Sequence, residues 1–100
     1  MSIESDIEKA KENKERAESL LSLLETNLHF KKVFKDYYLE KYALDLLYAK
    51  SSGKNNEMLD KKLEAISFFK DFIDEVLYLG DIAQKEIYEG YEQLRQNKEL

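Results

Sequence analysis

One hundred residues, 43% hydrophobic and 37% charged, are enough for one domain with a small core and long exposed faces. The absence of cysteine removes disulfides, thiolate metal sites and thiol nucleophiles together, and favours an intracellular or virion-internal setting. A net charge of −5 argues against a generic grip on phosphate backbones, and no apolar run approaches the roughly 20 residues that a membrane span needs.

Proline is absent and glycine occurs three times, so little interrupts helices. The first stretch, Ser2 to Arg16, is charged throughout, unlike a signal peptide. Within it Ile3, Ile7, Ala10, Lys14, Ala17, Leu21, Leu24 and Leu28 recur at steps of three and four, one stripe along a helix predicted over residues 3–26. Ser2 or Ser5 can cap it, and Ser5 with Glu8 fits a capping box. Glu12 and Arg16 can pair outside.

Asn27 reads as a break and a new cap. Phe30, Val33 and Phe34 mark a short helix over 28–35. Asp36-Tyr37-Tyr38 reads as a corner, and Leu39, Tyr42, Ala43, Leu46 and Leu47 share one face of a helix over 39–50. Ser51-Ser52-Gly53 ends it, because glycine just past a helix adopts the left-handed cap at little cost. Lys54 to Asn56 is a loop.

The last helix is predicted over 56–96, on the order of 60 Å long at the usual helical rise. Its stripe is Leu59, Leu63, Ile66, Lys70, Ile73, Leu77, Gly80, Gln84, Ile87, Tyr91 and Leu94. A second row (Ala65, Phe69, Phe72, Val76, Leu79, Ala83) widens its first half. The expected fold is therefore all-α: one domain, residues 1–100, in which the terminal helices form an antiparallel hairpin with a small aromatic-rich helical lobe at one end.

Charge is unevenly placed. Residues 27–54 carry six basic and three acidic groups, while residues 1–26 carry four and seven and residues 55–100 carry six and eleven. In the basic middle, Lys31, Lys32, Lys35 and Lys41 interleave with aromatics. That pattern can stack bases and grip phosphate. It equally fits an amphipathic helix with its lysines in solvent.

Among the seam residues, Gly80 permits close packing of another backbone. Gln84 can set register, and Lys14 and Lys70 can lay their stems along the stripe with their heads in water. Gly90 falls off the stripe. His29 stands alone, and Glu25 one turn away does not complete a metal site. Carboxylate pairs such as Asp71 with Asp74 and Glu86 with Glu89 are ordinary charge on a solvated helix, and no pocket is foreseen to shift them. There is no phosphate loop, dinucleotide fingerprint or nucleophile motif, so no cofactor, metal or catalytic residue is expected.

Seven tyrosines and five phenylalanines exceed what so small a core can hide. Tyrosine suits protein interfaces because it buries area yet tolerates water. The expected contact residues are Tyr78, Gln84, Ile87, Tyr88, Tyr91 and Leu94.

Leu20-Leu21-Ser22-Leu23-Leu24, Phe30-Lys31-Lys32-Val33 with the Asp36-Tyr37-Tyr38 segment, Ala43-Leu44, Leu63-Glu64-Ala65-Ile66 and Gly80-Asp81-Ile82-Ala83 follow in that order. The arrangement resembles a family of small helical proteins of tailed bacteriophages, with a Gly-Tyr-Phe corner, an Ala-x-Arg-Leu helix and a late Gly-x-x-Ala. Asp36 and Asp45 depart from it where the family has glycine and arginine. The resemblance implies a viral origin and a non-enzymatic role in the virion or its assembly, in host cytoplasm or virion. With the seam beyond Gln84 and the surplus tyrosines as contacts, the leading expectation is a protein-binding oligomer in virion or head assembly. An early regulator that binds a host protein, and a nucleic-acid binder using the basic segment, are the other classes.

Overall fold

The structure, a computed structural model, describes residues 2–54 and 57–99. The described residues are 94% helical, and no strand occurs among them. Three helices follow one another: α1 (Ile3–Glu25), α2 (28–51) and α3 (Glu57–Glu99).

Three helix ends are written in local chemistry. Ser2 Oγ accepts the Ser5 N–H at 3.0 Å, so Ser2 caps α1 and Ser5 already lies inside the helix. Arg16 donates to Asn13 Oδ1 at 3.1 Å, one turn back, rather than to Glu12. Asn27, extended at φ −87° and ψ 101°, accepts the Phe30 N–H at 3.0 Å and starts α2. At the far end of α2, Gly53 has φ +89°. The Lys54 N–H reaches the Ala49 carbonyl and the Gly53 N–H the Lys50 carbonyl, both at 3.1 Å, which is a Schellman motif.

The expected corner at Asp36-Tyr37-Tyr38, with separate helices over 28–35 and 39–50, gives way to one continuous helix. Neither proline nor glycine lies between residues 28 and 52, and Asp36 supplies nothing that breaks a helix. The chain instead widens over Lys31–Tyr42 into π-helical turns, framed by α-helical Leu28–Phe30 and Ala43–Ser51. This wider winding changes which rings meet. Tyr37 and Tyr42, five residues apart, stack at 5.8 Å, whereas regular α-helical winding puts such residues on different faces. Phe30 and Phe34 stack at 4.8 Å.

α3 ends at Glu99 rather than near 96. Its expected first residue, Asn56, and the loop residue Asn55 lie outside the described residues.

Contacts divide the chain into two compact units, residues 2–21 with 75–99 and residues 22–54 with 57–74. In the first unit α1 and α3 pack as an antiparallel hairpin: Ile7 lies against Gly90, and Ala17 against Gly80. Ile7, Ala10, Val76 and Ala83 are buried between them. Burying a side chain such as Ile7 contributes about 1.5–3 kcal/mol.

The α3 seam in this unit keeps Gly80, Ile87 and Leu94 of the expected stripe, but takes Ala83 and Gly90 in place of Gln84 and Tyr91. Val76, Gly80, Ala83, Ile87, Gly90 and Leu94 face inward, while Gln84 and Tyr91 turn out to solvent. Small residues explain the choice, since Gly80, Ala83 and Gly90 let the helices approach more closely than a row holding Gln84 and Tyr91 allows.

The second unit has its core at Leu46, Leu59 and Ile66, packed by Tyr38, Leu39, Tyr42, Ala43, Ala49 and Leu63. Phe69 meets Tyr38 edge-on at 5.8 Å and lies 6.2 Å from Phe34. Lys50 and Asp60 close the turn between α2 and α3 with a 2.9 Å ion pair.

Candidate functional site

The contact residues expected from sequence fall into two sets. Ile87 and Leu94 are half-buried on the inward row of the first unit, so the chain's own α1 occupies that seam. Tyr78, Gln84, Tyr88 and Tyr91 are exposed. Tyr91 is engaged by α1: the Lys11 ammonium lies 5.6 Å from its ring centroid and 3.7 Å from a Glu8 carboxylate oxygen. Hydrogen bonding to Tyr91, then the charge interactions with Tyr91 and Glu8, hold Lys11 above the ordinary lysine value.

Gly80 and Gly90 are both buried. A Cβ on Gly80 would fall on the Ala17 Cβ. A Cβ on Gly90 would lie 2.6 Å from Ile7 Cγ1 and 2.9 Å from Ile7 Cδ1. Gly90, off the expected stripe, is thus as much part of the close approach as Gly80.

The basic candidates differ in exposure. Lys32 and Lys41 are exposed, whereas Lys31 and Lys35 are half-buried. Lys35 lines a shallow cleft of about 240 Å³ with Leu24, Leu39, Glu40, Lys70, Ile73 and Asp74. Two carboxylates therefore stand beside the lysines there. His29 is exposed, and no group of acidic or histidine side chains able to hold a metal occurs among the described residues. No helix among them is long and apolar enough to cross a membrane.

What sequence reasoning missed lies in the second unit. There, eleven large apolar side chains among the described residues are exposed, against five that are buried. Two stripes stand out. On α2, Val33, Tyr37, Leu44, Leu47 and Tyr48 are 47–66% exposed. On α3, Met58, Phe68 and Phe72 are 56–64% exposed at helical spacing around exposed Ala65. The signal was present in sequence, because Phe68-Phe69 and Tyr37-Tyr38 are adjacent pairs and neighbours on a helix cannot both face one core.

Such a surface buries aromatic and aliphatic area against another apolar surface; it offers no convergent polar groups around a cavity. No protein family, curated protein or solved structure matches the chain.

Proposed function

We propose that the chain is a non-enzymatic protein that works by binding other proteins, with the second unit as its principal contact surface. The observation that carries this is the excess of exposed over buried large side chains in residues 22–74. Monomeric soluble proteins rarely leave apolar patches beyond a few hundred Å² uncovered, and larger ones mark contact sites. Aromatic residues and methionine, which interface cores favour, supply much of this surface.

The tailed-phage setting and an assembly role rest on the resemblance of the Phe30-Lys31-Lys32-Val33, Ala43-Leu44 and Gly80-Asp81-Ile82-Ala83 segments alone. A photo-crosslinking residue at position 48 or 68, in cells that make the protein, tests the reading. A discrete protein adduct at either site is expected, and a phage structural protein in that adduct supports the assembly role. No adduct at both sites, while the protein stays folded, overturns the reading.

A further inference from the structure

We infer that the outer stripe of α3 in the second unit docks a basic amphipathic helix of another protein. The inference rests on the protein-binding reading above and names the partner's chemistry.

Met58, Lys61, Ala65, Phe68 and Phe72 follow one another at steps of three and four, and so form one line along the helix. All are exposed. The line is apolar except for Lys61, whose ammonium is held by Glu57 at 3.2 Å. Along one edge run Glu57, Asp60, Glu64 and Asp71, again at helical spacing and all exposed. Glu57 is taken by Lys61 and Asp60 by Lys50 at 2.9 Å. Glu64 and Asp71, which flank the two phenylalanines, have no ion pair among the described residues. The opposite edge carries exposed Lys62, so among the described residues the apolar line has two free carboxylates on one flank and one lysine on the other; the acidic flank is complementary to a helix whose apolar line carries lysine or arginine on the edge that meets it.

The same flank disfavours an antiparallel pairing with a second copy. Two such helices laid stripe to stripe in antiparallel fashion bring Glu64 and Asp71 of one copy beside the same edge of the other, and like charges repel. The outer stripe of α2 has no comparable bias, because Asp36, Glu40 and Asp45 lie among Lys32 and Lys41 on its exposed surface.

The probe is a synthetic amphipathic helix of about 20 residues, leucine along its stripe and lysine on its flanks, with a glutamate-flanked peptide as control. The whole chain is titrated with each. The lysine peptide is expected to bind and the glutamate peptide to bind about tenfold more weakly or worse, with the difference shrinking in high salt. Phe68→Ser with Phe72→Ser, both at exposed sites that leave the core intact, is expected to weaken binding by about tenfold or more. Glu64→Lys with Asp71→Lys is expected to reverse the peptide preference. Equal affinity for the two peptides, or undiminished binding by the Phe68→Ser, Phe72→Ser chain, overturns the inference. So does a wild-type dimer in sedimentation that dissociates on those substitutions. Hydrogen-exchange protection on 33–48 instead of 57–72 also overturns it, while keeping the broader protein-binding reading.

Discussion

Gly80 and Gly90 show how much a single hydrogen decides where two helices touch. Alanine favours a helix interior over glycine by about 1 kcal/mol, so either substitution begins with a gain. At Gly80 the added Cβ meets the Ala17 Cβ, which has no rotamer to yield, and the helices must part. Overpacking of this kind costs about 1–3 kcal/mol and outweighs the gain. At Gly90 the first atoms met belong to the Ile7 side chain, 2.6 and 2.9 Å away, and these can shift. Gly80→Ala should therefore lower stability by about 1–2 kcal/mol and Gly90→Ala by clearly less, measured by urea unfolding followed at the helical signal. A Gly80→Ala chain as stable as wild type would remove the close approach. Lys11 gives a pH dependence at the same scale. Its folded value is raised, so its contribution is complete below the ordinary lysine value of 10.5 and is lost as pH climbs beyond it. Lys11→Met should flatten that alkaline loss relative to wild type and lower stability near neutrality by the same small amount, because the contact is half-exposed and screened by solvent.

At the scale of elements, the joint between α2 and α3 combines a cap, an ion pair and a core residue of unequal weight. Lys50 and Asp60 are about half-exposed, and a pair of that kind is worth at most about 1 kcal/mol. Gly53 has open space around a built Cβ, so Gly53→Ala meets only the strain of φ +89° and should cost about 1 kcal/mol. Leu46 is buried in the core cluster, and Leu46→Ala should cost about 2–5 kcal/mol. Thermal melts of Lys50→Ala, Gly53→Ala and Leu46→Ala should fall in that order, with Leu46→Ala lowest by a wide margin. Ser2, Asn27 and Gly53 were readable because a cap is decided by one side chain and its nearest amides. The break at residues 36–38 was misplaced because polarity was read as a corner, although Asp36 neither removes an amide donor nor fixes φ. Two seam positions of α3, Gln84 and Tyr91, departed from expectation for a different reason. Hydrophobic periodicity places Gln84 and Tyr91 on the stripe beside Gly80 and leaves Ala83 and Gly90 off it, yet close helix packing selects the small residues.

For the whole molecule, the contact surface was legible only as a surplus of aromatics; its address required knowing which rings the core accepts. Tyr38, Tyr42 and Phe69 are drawn inward, while Tyr37, Tyr48, Phe68 and Phe72 remain outside. If those outer side chains serve binding, folding does not depend on them. Exposed positions away from caps and cores usually change stability by no more than about 0.5 kcal/mol. Leu44→Ser combined with Tyr48→Ser should therefore leave the unfolding midpoint almost in place, reduce self-aggregation and abolish a crosslink from position 48 if that stripe carries one. Leu59→Ala, at a buried core position, should lower stability by about 2–5 kcal/mol. A midpoint that falls as far for Leu44→Ser with Tyr48→Ser as for Leu59→Ala would mean that the outer stripe is covered within the folded chain. The surface would then be structural, and the excess of exposed side chains would no longer argue for a partner.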